Sequence, residues 1–360
     1  MSKFAMAGIA LSVLLLFSPC LLLVQGADST WDIQVITHIA DFLHRGSLSS
    51  PVLALDSEGN PHICYGCYPY QVSPYIRYVG WNGTGWQGSS VETNYLYWRT
   101  ATGFGQFYLA VDTNNNPHLI YRSPVNETSV LKYAIWNGTG FDKRVINEKA
   151  DSVFVLDLKN NPNATFNPPR AYDNVIWAGE KWEIRTINIQ GIAVLPSFAW
   201  DSSEKPHVAY LANNSLNYAR FVGSELSIQT IDVCNCSELT LTLNSQGNPS
   251  IAYLDSEGLK IANSAGLNWS VQVVDSEATT IGSLVLDSTG NPHLVYNSNT
   301  GLQYAYFDGS VWKIQSIDSQ GCAGSLILDS NNNPHIVYMT GYSETIKYAT
   351  YATQEQPPNL

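Results

Sequence analysis

Apolar and polar residues follow one another along this chain in a pattern that returns seven times. Its clearest copies run Leu286-Asp287-Ser288-Thr289-Gly290-Asn291-Pro292-His293-Leu294-Val295-Tyr296 and Leu328-Asp329-Ser330-Asn331-Asn332-Asn333-Pro334-His335-Ile336-Val337-Tyr338. Each copy begins with an apolar run in which both parities are filled, such as Ser283-Leu284-Val285-Leu286, and this predicts a strand buried on two faces. Asp, Ser, Gly, Asn and Pro then reverse the chain. The second strand, His-Leu-Val-Tyr or a variant, is rich in β-branched and aromatic residues. A third reads Leu302-Gln303-Tyr304-Ala305 or Ile346-Lys347-Tyr348-Ala349. A glycine turn such as Asn137-Gly138-Thr139-Gly140 leads to a fourth, which opens on an aromatic and ends in Ile-Asp, as in Trp312 to Asp318.

The copies centre on Pro61, Pro117, Pro162, Pro206, Pro249, Pro292 and Pro334, spaced by 56, 45, 44, 43, 43 and 42 residues. Four short strands at such a period make one propeller blade, and a blade cannot bury both faces alone. The expected fold is all-β: a seven-bladed β-propeller of four-stranded antiparallel blades. The last repeat stops after its third strand, and Trp31-Asp32-Ile33-Gln34-Val35-Ile36 carries the missing fourth-strand pattern. The ring is therefore expected to be closed by the N-terminal strand, leaving no open edge there.

Residues 1–26 read as a secretory signal peptide: Lys3, an apolar stretch from Ile9 to Val24, and a small-residue cleavage site before Ala27. An uncleaved membrane anchor is the rival reading of that stretch. Residues 27–352 form the propeller and 353–360 a polar C-terminal tail. The formal charge of −12 and pI near 4.9 argue against nucleic acid and against an anionic membrane as partners. The expected location is extracellular, secreted or at the cell surface, with no membrane insertion after cleavage. Sequons at Asn82, Asn126, Asn137, Asn163, Asn213, Asn235 and Asn268 fit an exported glycoprotein, although at Asn82 and Asn137 the Asn-Gly-Thr-Gly sequence is explained equally by turn chemistry.

Five cysteines follow the signal: Cys64, Cys67, Cys234, Cys236 and Cys322. Their number is odd, so one at least is not paired within the chain. Cys64-x-x-Cys67 has the spacing of a redox or metal half-site. Cys64, however, stands where other repeats have Val295 or Val337, which points to the core. Cys234, Cys236 and Cys322 are assigned to equivalent linkers before the first strands of repeats 5 and 7.

His62, His118, His207, His293 and His335 hold one position in five repeats. Repetition spreads them around a ring instead of gathering them, so a structural hydrogen-bonding role is expected, and neither metal nor cofactor. Asn163 and Ser250 stand there in repeats 3 and 5, so His293→Asn is expected to cost little. The repeated Asp56, Asp112, Asp157, Asp201, Asp287 and Asp329, with Asn244, are expected to cap their own turns.

The Asp-x-x-Gly-Asn-Pro-His-Ile-x-Tyr repeat resembles the sialidase-like propeller repeats of secreted proteins, over nearly the whole mature chain. The resemblance implies the fold and an exported setting, and carbohydrate-active proteins are among its members. The family's Ser-x-Asp-x-Gly-x-x-Trp box is missing, as is the Arg-Ile-Pro context of a sialidase arginine. Sialidase activity is therefore not carried over. Seven-bladed polysaccharide lyases are similar too, but their catalytic residues do not map onto particular positions here.

The repeats differ most in loop length. From the proline to the third-strand tyrosine or its equivalent, repeats 4, 5 and 6 use 12 residues, repeat 7 uses 14, repeat 2 uses 16 and repeat 1 uses 17. Trp86 to Pro117 takes 31, against 23 and 22 for the same junction after repeats 5 and 6. In a four-stranded meander these loops all emerge at one end, over repeats 7, 1 and 2. They carry Tyr68, Tyr70, Tyr75, Tyr95, Tyr97, Trp98 and Tyr342, with Arg99 and Arg122 nearby. Exposed aromatics beside arginines suit sugars or a protein surface. The alternative is a small satellite core under the loops. The expected ligand-binding residues are Tyr68, Tyr70, Tyr95, Tyr97, Trp98, Arg99, Arg122 and Tyr342. The expected function is non-enzymatic recognition of a carbohydrate or a cell-surface protein. The competing expectation is a polysaccharide-degrading lyase or glycoside hydrolase at the channel mouth, drawing on Tyr97, Arg99, Tyr121 and Arg122, or on Glu92, Glu148 and Glu238. A third is a structural envelope component with no ligand.

Overall fold

The computed structural model describes residues 31–38, 46–69, 75–93, 107–125, 128–147, 153–157, 163–166, 172–177, 182–187, 194–203, 205–222, 225–266, 268–340 and 345–351. Within them the chain forms seven antiparallel sheets. The sixth shows the plan: Ala278–Leu286, Pro292–Ser298, Gly301–Phe307 and Trp312–Asp318 lie side by side in chain order. Sheets 2 to 5 repeat it. In sheet 1 the first strand comes in two pieces, Gly46–Leu48 and Val52–Leu55, which pair with opposite ends of Pro61–Pro69. Pro51, which has no N–H to give the ladder, stands in the gap.

Sheet 7 takes Gly321–Leu328, Pro334–Thr340 and Thr345–Tyr351 from the C-terminal end, and its outer strand is Trp31–His38. The pairing runs antiparallel from Trp31 opposite Tyr351 to His38 opposite Thr345.

The turn between first and second strands has one construction. Asp287 Oδ1 accepts the backbone N–H of Thr289 and of Asn291, at 2.9 and 2.8 Å. The backbone closes it with Gly290 N donating to Asp287 O at 3.0 Å. Asp56, Asp112, Asp201, Asp329 and Asn244 cap their turns in the same way. The fourth turn residue needs positive φ, which Gly290 (90°) and Asn332 (64°) supply. The capping role read from the sequence is what these residues perform; Asp157 lies in a strand whose side chains are outside the described residues.

Apolar clusters fill the spaces between neighbouring sheets. One joins sheets 1 and 2 through Cys64, Ile76, Leu119 and Tyr121. Others join sheets 4 and 5, 5 and 6, and 6 and 7. A further cluster joins sheet 7 to sheet 1, with Val337, Met339 and Ile346 against Leu53, Ile63 and Cys67. Fully burying one such aliphatic side chain contributes roughly 1.5–3 kcal/mol, so these interfaces hold the sheets together.

The first strands of sheets 6 and 7 extend further back than the apolar runs predict, to Ala278 and Gly321, across irregularities in register. Cys322 consequently pairs with Met339 inside a strand and is not in a linker. Cys234 and Cys236 do lie between strands, and they form a disulfide with each other.

Candidate functional site

The five histidines sit just inside the second strands, which begin at the turn proline. In each, Nδ1 is hydrogen-bonded to the third-strand tyrosine hydroxyl: His62 with Tyr78, His118 with Tyr133 (2.6 Å), His207 with Tyr218, His293 with Tyr304 and His335 with Tyr348. The other ring nitrogen faces the turn aspartate at 3.2 to 3.8 Å, an electrostatic contact more than a full hydrogen bond. An Nε2–H tautomer turns its N–H toward the carboxylate and leaves Nδ1 to accept from the tyrosine, with His62 and His118 Nε2 buried short of a full hydrogen bond. Burial depresses the pKa of His62, His207, His293 and His335, and the adjacent aspartate only partly offsets it. For Asp56, Asp112, Asp201, Asp287 and Asp329, burial works against ionisation. Their hydrogen bonds outweigh it, and these carboxyls stay below the ordinary range. The set holds a turn against its sheet; the structural role expected of the histidines is the one they play.

A second repeated set crosses between sheets. Tyr121, Tyr253, Tyr296 and Tyr338 are buried, and their hydroxyls donate to Glu92, Asp232, Asp275 and Asp318 at the end of the preceding sheet. Lys132 joins Glu92 and Lys347 joins Asp318, each at 2.8 Å. Lys143 adds a longer contact to Glu92, at 3.6 Å. Burial opposes the charge on Glu92, but Lys132, Lys143 and Tyr121 together lower its pKa. The remaining described carboxylate of the competing hydrolase reading, Glu238, accepts the Ile281 N–H at 2.7 Å. Tyr121 and Glu92 thus bind each other in an inter-sheet staple that sheets 4 to 7 also use, and neither is an open acid or base.

Of the residues expected to bind ligand, Arg122 is described. It follows Tyr121 at the loop-bearing end of its strand, half-buried, opposite Leu131. Tyr68 lies in the strand Pro61–Pro69, with its backbone opposite Ser47. Tyr70, Tyr95, Tyr97, Trp98, Arg99 and Tyr342 lie outside the described residues, as does Glu148. Tyr75, on the same loop system, starts the third strand of sheet 1; burial pushes its pKa up to about 12.

Cys64 and Cys67 stand three apart on one strand and so face opposite sides. Cys64 packs toward sheet 2 and Cys67 toward sheet 7. They cannot share a metal or a disulfide in this arrangement. Among the described residues no group of three or more His, Cys, Asp or Glu is placed to hold a metal ion.

At the end of the molecule that carries the capped turns lies a cavity of about 490 Å³. The turns of sheets 5, 6 and 7 form its wall, with Asn244, Ser245, Asp287, Ser288, Gly290 and Asn332 among its lining. Sequence reasoning missed it, because residues that look alike in every repeat carry no sign of which junction is left open.

No protein-family model matches the chain, and no curated protein is similar to it. Similarity to solved structures is extensive. The propeller domain of the Trilobed protease from Pyrococcus furiosus matches with a TM-score of 0.58 at 12% identity, over 86% of this chain and 95% of that one. Virginiamycin B lyase from Staphylococcus aureus matches with 0.56 at 9% identity, over 89% and 100%. YCF48 bound to a D1 peptide matches with 0.57 at 10% identity, over 92% and 98%. Enzymes and a peptide-bound protein stand side by side among these neighbours, so what the likeness establishes is architecture: this chain is an all-β protein with a β-propeller fold.

Proposed function

We propose that this chain is an exported recognition module: a seven-bladed propeller, closed by its N-terminal strand, that binds a glycan or a protein through the loops over repeats 7, 1 and 2. Closure is supported by the pairing of Trp31–His38 with Thr345–Tyr351 and by the apolar cluster between sheets 7 and 1. Export is supported by the apolar N-terminal segment and by the exposure of Asn82, Asn137, Asn213, Asn235 and Asn268.

The observation that carries binding over catalysis is the state of the repeated titratable groups. His62, His118, His207, His293 and His335 are each engaged with a third-strand tyrosine and a turn aspartate, and Tyr121, Tyr253, Tyr296 and Tyr338 each with an acid of the preceding sheet, in the same way from sheet to sheet. A catalytic group is singled out by its surroundings, and these are not. Function then falls to what differs between repeats: the long aromatic loops. Arg99 and Arg122 suit a carboxylate, since guanidinium grips it in a bidentate fork, so an acidic sugar is the preferred ligand.

A glycan array probed with wild type and with the Trp98→Ala/Arg99→Ala double variant tests this. The expected result is binding to acidic glycans, lost in the variant at an unchanged melting temperature. Equal binding by both proteins, or collapse of the variant, would assign these residues to a satellite core. Turnover of a polysaccharide would favour the lyase or hydrolase reading.

A further inference from the structure

We propose a second binding site at the opposite end of the molecule, in the cavity among the turns of sheets 5, 6 and 7. Its ligand is the primary carboxamide of an Asn or Gln side chain presented by a peptide.

The protein carries two internal copies of this ligand. Between sheets 1 and 2, Asn115 Oδ1 accepts the Ser57 backbone N–H at 3.2 Å and the Ser57 hydroxyl at 2.9 Å. Between sheets 6 and 7, Asn332 Oδ1 accepts the Ser288 N–H at 3.0 Å, while Asn332 Nδ2 donates to Ser288 Oγ at 2.9 Å. In both cases the asparagine holds the positive-φ position of its turn (62° and 64°) and reaches back to the serine of the preceding turn.

At the junction of sheets 5 and 6 the serine is Ser245 and the positive-φ residue is Gly290, so the carboxamide is missing. Among the described residues neither the N–H nor the hydroxyl of Ser245 has a hydrogen-bond partner. The space is open: a Cβ on Gly290 would meet nothing nearer than Asn244 Nδ2, at 3.8 Å. Both Ser245 and Gly290 line the cavity. The junctions of sheets 4 and 5 (Ser202, Gly247) and of sheets 7 and 1 (Ser330, Gly59) also pair a turn serine with a glycine; Ser330 lines the cavity too, but only at the junction of sheets 5 and 6 do both the serine and the glycine line it.

Charge and geometry narrow the ligand. Asp287 and Asp329 line the same cavity with carboxyls held below the ordinary range, so an anion is repelled. Asn244 replaces aspartate on the Ser245 side; its Oδ1 caps the turn, which leaves Nδ2 as a further donor. A primary carboxamide offers an acceptor and a donor from one carbon, as Asn332 does to Ser288. A trans peptide group points its C=O and N–H in opposite directions and cannot do this to a single serine.

The test has two parts. Shift titrations would use N-acetyl-Gly-Gln-Gly-N-methylamide, whose only primary carboxamide is the Gln side chain, with the Leu and Glu tripeptides capped in the same way as controls, on wild type and on Gly290→Asn. The Gln probe should bind wild type about tenfold more tightly than either control, one hydrogen-bonded pair being worth about that factor, and Gly290→Asn should remove the difference. Melting temperatures of Gly290→Asn and Gly290→Ala form the second part. Asn should match or exceed wild type by seating its own carboxamide on Ser245, while Ala, strained at this φ with nothing to offer, should melt lower. Equal binding of the three probes, undiminished Gln binding by Gly290→Asn, or an Asn variant as unstable as the Ala variant would each overturn the proposal.

Discussion

The Trp86 indole N–H donates to Gln34 Oε1 at 3.1 Å, joining sheet 1 to the N-terminal strand across 52 residues of sequence. The same bond joins Trp269 to Gln229 and Trp312 to Gln272, each between a sheet and the one before it. The Trp86 ring also packs edge-on against Tyr348 of sheet 7, with centroids 5.6 Å apart, as Trp269 packs on Tyr218. The contact between the first and last sheets is therefore built like the contacts between sheets adjacent in sequence.

Removal of residues 31–38 is accordingly expected to uncover Thr345–Tyr351 as an unpaired edge and to strip Trp86 of its partner. Light scattering and thermal melting should report aggregation and a large loss of stability. Gln34→Ala, which keeps the strand but removes the bond from Trp86 and the longer one from Gln34 Nε2 to Asp32 at 3.4 Å, should cost about 1 kcal/mol. A truncated protein that remained monomeric at an unchanged melting temperature would dismiss the N-terminal strand as a closing element.

The histidine and the third-strand tyrosine are kept or lost together. Where Ser250 replaces histidine, Ile261 replaces the tyrosine; where Asn163 does so, Asn174 stands at the tyrosine position. A single His293→Asn change is therefore not the mild substitution that Asn163 alone implies, because it withdraws the acceptor of the buried Tyr304 hydroxyl. The expected cost is about 1–3 kcal/mol. The pair His293→Ser/Tyr304→Ile, which copies sheet 5, should cost less than the sum of its single changes. Chemical denaturation of the four proteins in a double-mutant cycle would measure this, and strict additivity would mean that the two residues do not act as a unit.

Stability should respond to acid in two stages. His62, His207, His293 and His335 have folded-state pKa values below their ordinary 6.5, so between those values and 6.5 the unfolded chain binds more protons than the folded one. Stability is complete above about pH 6.5 and declines as pH falls below it. The turn aspartates, lowered from 3.8, add a second loss as pH falls below that value. Urea midpoints measured from pH 8 to 3 should be level at first and then fall, beginning near the histidine range. A profile flat down to pH 4 would show that the histidines are not held neutral by burial.

Much of the architecture was legible because one physical pattern is written repeatedly. The recurring proline, the capping Asp or Asn and, in five of the turns, a positive-φ residue before an Asn-Pro pair mark the first hairpin of the repeat, and Trp31 to Ile36 announces its place by matching Trp312 to Ile317. Long-range partners were less visible. Nothing local in Val91-Glu92 shows that Glu92 will receive Tyr121 and Lys132 from the next sheet. Nor does the turn sequence of Gly290 reveal an open serine 45 residues earlier, at Ser245. The loops carrying Trp98 and Arg99 break the repeat, and a residue outside the repeat has no counterpart from which to infer its contacts.

The three free thiols among the described residues provide a test of the sheet interfaces themselves. Cys64 has no exposed surface and Cys67 is 5% exposed, each in a different apolar cluster, while Cys322 is exposed. Burial raises the pKa of both inner thiols, Cys67 to about 11 against its hydrogen bond with Tyr75 and the nearby Arg77. The thiolate is the reactive form, so low exposure and high pKa act in the same direction. A water-soluble thiol reagent at neutral pH should label Cys322 rapidly in the folded protein, and Cys64 and Cys67 only once denaturant opens the interfaces. Cys234 and Cys236 should react only after reduction. Mass spectrometry of the labelled peptides distinguishes these sites. Rapid labelling of Cys64 in the native protein would mean that the space between sheets 1 and 2 opens readily, and that the apolar contacts of Ile76, Leu119 and Tyr121 do not hold it closed.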